Sequence, residues 1–97
     1  MTVFFNNNAA FSCRFSVQWN GGQSGETELT YAGDSVSIDL DPFATAIGTG
    51  SCWGRAYIVD GVNHDSGNNF TLSAGNVTYT ISGGADTPSF SCDGCNC

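Results

Sequence analysis

The chain has 97 residues, two cationic side chains against nine acidic ones, and a net charge of -7. That is enough for one domain with a modest core. Lysine is absent, which excludes the basic footprint of a nucleic-acid binder and any electrostatic pull toward anionic lipid. No apolar run approaches the roughly 18 residues of a membrane-spanning helix, and seven Phe, three Tyr and two Trp are too many for a disordered chain.

The dominant hydrophobic period is two, the period of strands. Thr2–Phe5 reads as an N-terminal strand with Asn6-Asn7-Asn8 as its exit. Phe11–Trp19 alternates most clearly: Phe11, Cys13, Phe15, Val17 and Trp19 share one face, and Ser12, Arg14, Ser16 and Gln18 the other. Asn20-Gly21-Gly22 follows as a turn, because Asn and Gly accept positive φ. Glu26–Tyr31 alternates again, with Thr27, Leu29 and Tyr31 expected inward. Ser35–Leu40 places Val36, Ile38 and Leu40 on the core face and stops at Asp41-Pro42, since proline cannot donate to a ladder. Phe43–Gly50 reads as a loop or short helical turn. Cys52–Val59 forms the next strand, with Trp53, Arg55, Tyr57 and Val59 on one face and Cys52, Ala56 and Ile58 on the other. Asp60–Asn69 is expected to be a polar loop. Phe70–Leu72 and Val77–Ile81 are expected to pair around Gly75-Asn76. Beyond Gly83 only a short strand near Phe90 is foreseen.

About seven short strands with turn signals between them, and no segment of helical period, predict an all-β, antiparallel β-sandwich with a Cys-rich C-terminal tail. Residues 1–88 form the single sandwich domain in this reading and residues 89–97 the tail.

Several segments carry a family resemblance. Ala10–Trp19, with its small-aromatic start and Phe-x-Val-x-Trp pattern, resembles the opening strand of the C-terminal domain of cholesterol-dependent cytolysins. Ser35–Leu40 resembles that domain's Ser-Ile-x-Leu strand, Cys52-Trp53-Gly54-Arg55 its Cys- and Trp-rich loop, and Val77–Gly83 its closing Ile-Ser-x-Gly strand. The resemblance implies a β-sandwich. It does not extend to cholesterol binding, because the family's membrane-reading loop has several Trp in succession and a Thr-Leu pair nearby. Here Trp53 stands alone, and Thr71-Leu72 falls in an expected strand. Small sandwich lectins are the closer functional analogy.

The chemistry-bearing residues point to binding. The lone His64 shares a loop with Asp60, Asp65 and Ser66, but neighbours in one loop do not build a catalytic triad and no nucleophile elbow is present, so no enzyme is expected. Trp53 could stack on the apolar face of a sugar while Arg55, Asp60, Asn63, Asp65 and Asn68 bind its hydroxyls. The competing reading puts Trp53 and Tyr57 in the core. Oxygen ligands at strand ends are what Ca²⁺ needs, and Asp60, Asn63 and Asp65, with Asp39 and Asp41 at another strand end, supply them. Their spacing is not that of an EF-hand, and a solvated acidic rim is the simpler reading. The predicted ligand is thus a carbohydrate or another cell-surface group. No signal peptide is visible at Met1, although the Gly-, Ser-, Thr- and Asn-rich composition with five Cys suits the outside of a cell or its surface.

Five cysteines cannot all pair within one chain. Cys13 and Cys52 lie in strand patterns, and Cys92, Cys95 and Cys97 crowd the tail. Two internal disulfides with one spare thiol, and intermolecular bonds through the tail, are equal alternatives at this level. Crosslinking would suit a second function: a self-assembling extracellular fibre or coat subunit that adds copies of itself at an edge strand unguarded by Lys.

Overall fold

The computed structural model describes all 97 residues. Two four-stranded sheets face one another. The chain order is β1 (Thr2–Asn7), β2 (Cys13–Trp19), β3 (Gly22–Gln23), β4 (Ser35–Asp39), a 3₁₀ turn (Asp41–Phe43) leading into α1 (Ala44–Ile47), β5 (Cys52–Ile58), β6 (Asn63–Phe70), a second 3₁₀ turn (Leu72–Ala74), β7 (Val77–Ser82) and β8 (Ser89–Asp93). One sheet runs β4-β1-β7-β8 and the other β3-β2-β5-β6. This is the expected sandwich. Every ladder is antiparallel except that between β1 and β7, which are parallel.

The alternation read in the sequence places the core between the sheets. Val3 and Phe5 of β1, Phe15 and Val17 of β2, Cys52 and Ala56 of β5, and Val77, Tyr79 and Ile81 of β7 are buried. Phe5 and Phe15 stack across the gap at 4.6 Å between ring centres, and Phe5 stacks on Tyr79 at 5.7 Å. Trp19 is buried against Phe43, 5.5 Å between centres. One polar side chain belongs to this interior. Asn7 is fully buried, where its amide donates to the Phe11 and Thr30 carbonyls and its oxygen accepts the Ala9 N–H. These bonds meet the requirement that a buried amide be satisfied, and they pin the crossover from β1 to β2.

Four segments differ from the sequence reading. Residues 26–31 form no strand: the run meets β2 through one isolated bridge, between Thr30 and Cys13, and a Thr27 N–H bond to the Phe15 carbonyl. Gly25, at φ +86°, breaks the extended path. The side chains of Ser24 and Thr27 accept the N–H groups of Val17 and Phe15 where a strand would offer carbonyls. The inward residue is Thr30, whose hydroxyl donates to the Cys13 carbonyl at 2.7 Å, and Tyr31 is exposed. The expected loop 60–69 is instead mostly strand, with β6 beginning at Asn63. Phe70 ends β6, so Thr71-Leu72 lies at a 3₁₀ turn and outside any strand, and β7 pairs with β1 and β8. Finally, β1 sits between β4 and β7, so Thr2–Phe5 is not the open edge that strand addition would use.

The Cys-rich stretch 89–97 is tied down. Ser89–Asp93 form β8, hydrogen-bonded along β7, and Phe90 packs edge-on to Phe15 and Tyr79. Cys92 and Cys95 are joined by a disulfide.

Candidate functional site

The outer surface of the β3-β2-β5-β6 sheet carries the richest polar chemistry. Trp53, Arg55 and Tyr57 alternate with buried residues along β5 and face outward. Pairing with β6 sets Asn69 opposite Trp53, Asp65 opposite Arg55 and Asn63 opposite Tyr57. Between Trp53 and Arg55 the register shifts, because β6 needs extra residues to pass Gly54. Gly54 is needed there for a second reason. A Cβ on it would come within 3.1 Å of Phe5 and 3.4 Å of Tyr79, so any side chain there would push those rings back by a few tenths of an ångström. Ser66 closes the resulting bulge. Its hydroxyl accepts the Gly54 N–H and donates to the Asn68 carbonyl, which also takes the Tyr79 hydroxyl at 2.6 Å.

Arg55 and Asp65 form a bidentate pair across the two strands, 2.6 Å from Nε to Oδ1 and 3.0 Å from Nη2 to Oδ2. The Trp53 indole N–H donates to the same carboxylate at 3.2 Å. The Arg55 guanidinium holds the Asp65 carboxyl below its ordinary range, and Asp65 in turn raises Arg55. Both therefore stay charged across the physiological range. Beside them, Tyr57, Ser16, Gln18 and Gln23 form a second network. The Tyr57 hydroxyl lies 3.0 Å from Ser16 Oγ and donates to Gln23 Oε1 at 3.3 Å. Gln18 donates to Ser16 at 2.7 Å and to Tyr57 at 3.2 Å. Ser16 is completely buried and Gln18 nearly so, although both belong to the outward phase of β2.

The six residues singled out in the sequence divide into two groups. Trp53, Arg55 and Asp65 meet in one constellation, with Asn63 one register step away. Asp60 stays apart in the turn between β5 and β6, at φ 58°, and Asn68 sits in the bulge with its backbone carbonyl turned to Ser66 and Tyr79. The proposed Ca²⁺ set is not assembled: both Asp65 oxygens hold Arg55 and Trp53, Asp41 meets the Met1 amino group at 2.6 Å, and no three His, Cys, Asp or Glu side chains gather as a metal site would require. Neither Trp53 nor Tyr57 is a core residue; both are half-buried on the outer face. Ser16, Gln18 and Gln23 escaped the sequence reading as site residues. The available signal was the polar phase of β2, which marks Ser16 and Gln18 as outward but not as neighbours of Tyr57; Gln23, in the two-residue β3, carried no such signal.

No known family profile matches the chain, and no curated protein matches it. Solved structures do. A Gram-negative toxin is 18% identical over 94% of this chain and 22% of its own, with a TM-score of 0.54. Wild-type pneumolysin is 13% identical over 95% and 22%, at 0.56. A disulfide-locked mutant of intermedilysin solved with human CD59 is 13% identical over 98% and 24%, at 0.54. The chain is similar in fold to a domain of the cholesterol-dependent cytolysins. It spans between a fifth and a quarter of the length of those toxins, so the likeness is one of fold, as the strand motifs implied.

A separate open groove of about 340 Å³ lies between residues 24–28 and β4, lined by Glu26, Glu28, Val36 and Ile38 among others. Residues 24–27 run along the edge of β2 opposite β5, so the groove lies beyond β2 from the Trp53 constellation. No helix is long and apolar enough to cross a membrane.

Proposed function

We propose that this chain is an extracellular, non-enzymatic binding module that recognises carbohydrate on a cell or polymer surface through the outer face of the β3-β2-β5-β6 sheet. The observation that carries this reading is the juxtaposition of a half-exposed indole with a charged, bidentate Arg55–Asp65 pair. An indole face takes the apolar side of a sugar ring, and fixed donors and acceptors beside it take the hydroxyls. The networks around Arg55 and Tyr57 hold those side chains in place before a ligand arrives, which lowers the entropic cost of binding. The fold supports a recognition role by analogy: one structural neighbour, intermedilysin, was solved with human CD59. A glycan array probed with the 97-residue chain, repeated with Trp53→Ala and Asp65→Ala, tests the site. Binding that falls at least about tenfold in both variants, with melting curves that stay cooperative, supports it. Equal binding by parent and variants removes the site assignment.

A second reading, a subunit that polymerises, draws on the open edges β4 and β8 and the exposed thiol of Cys97. Cys92 and Cys95 are already bonded to each other, which leaves Cys97 as the tail residue able to crosslink. Reductant-sensitive ladders in intact-mass and sizing measurements would make this reading primary. A monomer under both conditions would end it.

A further inference from the structure

We propose that Cys52 and Cys97 form a second disulfide within the chain on oxidation, fastening the C-terminal segment to the start of β5 and leaving Cys13 as the one remaining thiol. With Cys92 and Cys95 bonded, three thiols are left, at Cys13, Cys52 and Cys97. The register brings two of them together. Cys52 stands opposite Phe70, and Trp53 opposite Asn69. The Cys97 N–H donates to the Asn69 carbonyl at 3.2 Å, and its sulfur lies 3.9 Å from the hydroxyl of Ser51, the residue before Cys52. Cys97 therefore touches the residue that precedes Cys52 in the chain and, on β6, the residue opposite Trp53.

This placement is held by more than one bond. Asn96 accepts the Thr71 N–H at 2.8 Å and donates to the Thr71 hydroxyl at 2.9 Å, which clamps the segment against the end of β6. The Cys95 sulfur reaches the Tyr79 hydroxyl at 3.5 Å. Cys13 is excluded by distance. It pairs with Ile58 at the far end of β5, about 20 Å from Cys52 at roughly 3.3 Å per residue, and its sulfur contacts Thr30.

The chemistry needs an oxidant, for which a small-molecule disulfide such as oxidised glutathione suffices. The exposed Cys97 thiolate attacks one sulfur of that disulfide, forming a mixed disulfide and expelling one thiolate. The Cys52 thiolate then attacks the Cys97 sulfur and expels the second. Two protein thiols become one disulfide, the oxidant becomes two thiols, and the protons lost by the cysteines are taken up by the departing thiolates. The second attack is the slow one. Cys52 is completely buried, and burial raises its thiol pKa, so closure accelerates as pH rises. The finished bond would close a loop of about 45 residues and tie β8 to the opposite sheet beside Trp53, raising the melting midpoint by roughly 10 °C.

Trypsin makes the test direct, because Arg14 and Arg55 are its sole cleavage sites in a chain without Lys. The full chain is incubated with oxidised glutathione, its free thiols are alkylated, and it is denatured and digested. The expected result is residues 15–55 and 56–97 leaving as one species that reductant separates, with residues 1–14 released carrying an alkylated Cys13. Cys97→Ser, at an exposed position, should abolish the link while keeping the parent's cooperative melt. The proposal is overturned if 15–55 and 56–97 separate without reductant, with Cys97 glutathionylated or joined to a second copy of 56–97. It is equally overturned if the link persists in Cys97→Ser or includes residues 1–14.

Discussion

The two outer faces of the sandwich are built from the same alternation and differ in what their side chains do. On the β4-β1-β7-β8 sheet the outward positions hold short polar groups such as Ser37, Thr78 and Thr80, together with a partly exposed Phe4. Their mutual bonds are few: Ser35 to Asn6 at 2.7 Å and a long Asn6–Thr80 contact at 3.5 Å. On the β3-β2-β5-β6 sheet the outward positions hold Gln18, Trp53, Arg55, Tyr57 and Asp65, long enough to reach across strands and lock one another. Length decides the difference. A Ser or Thr on a sheet surface meets water, whereas Tyr, Gln and Arg lie down over their neighbours, bury Ser16 beneath them and leave an organised surface with a half-exposed indole. Equal polarity in the pattern thus yields one plain face and one organised face.

The contrast can be broken from below, across the surface and at its charged rim. Gly54→Ala should have the largest effect, about 1–3 kcal/mol of destabilisation, since the added methyl must displace Phe5 or Tyr79 in a close-packed interior. The same substitution should disturb the bulge that aligns Trp53 with Arg55, and urea unfolding together with glycan binding would register both losses. Tyr57→Phe should cost about 1–2 kcal/mol, because it strips a hydroxyl from buried Ser16 and Gln18. Thr78→Val on the other sheet should stay within about 0.5 kcal/mol. Equal costs for the two changes would erase the distinction between the faces.

Among the changes to the organised face, the smallest effect belongs to the Arg55–Asp65 pair, whose side chains are 31% and 42% exposed. Asp65→Asn should cost less than about 1 kcal/mol at pH 7. The Asp65 pKa is lowered in the folded chain, so its contribution is fully present above the ordinary value of 3.8, declines below it and is lost as pH falls through the lower folded-state value. The gap between parent and variant should therefore shrink progressively as pH falls below 3.8, which chemical unfolding across that range would measure. A gap that widened in acid would contradict the pairing.

Much of this molecule follows from local pattern. Period-two alternation in residues 13–19, 35–40, 52–58 and 77–81 suffices to place four strands and their buried faces, because β-branched and aromatic residues in that period have one way to hide from water. That Trp53, Arg55 and Tyr57 share one face was legible for the same reason, but which face turns outward was decided by the packing of the sheets. Partners were not. Asn63–Phe70, with its three Asn, one Gly and no β-branched residue, has the composition of a loop, and it becomes a strand because β5 offers a ladder, His64 stacks on Phe90 at 5.9 Å and Ser66 satisfies the bulge. Glu26–Tyr31 alternates like a strand and is none, because the hydroxyls of Ser24 and Thr27 take the bonds that would have ordered it. Which face a side chain takes is set by the period of its own segment. Which residues it meets depends on register between strands distant in sequence, and that is decided only when the sheets assemble.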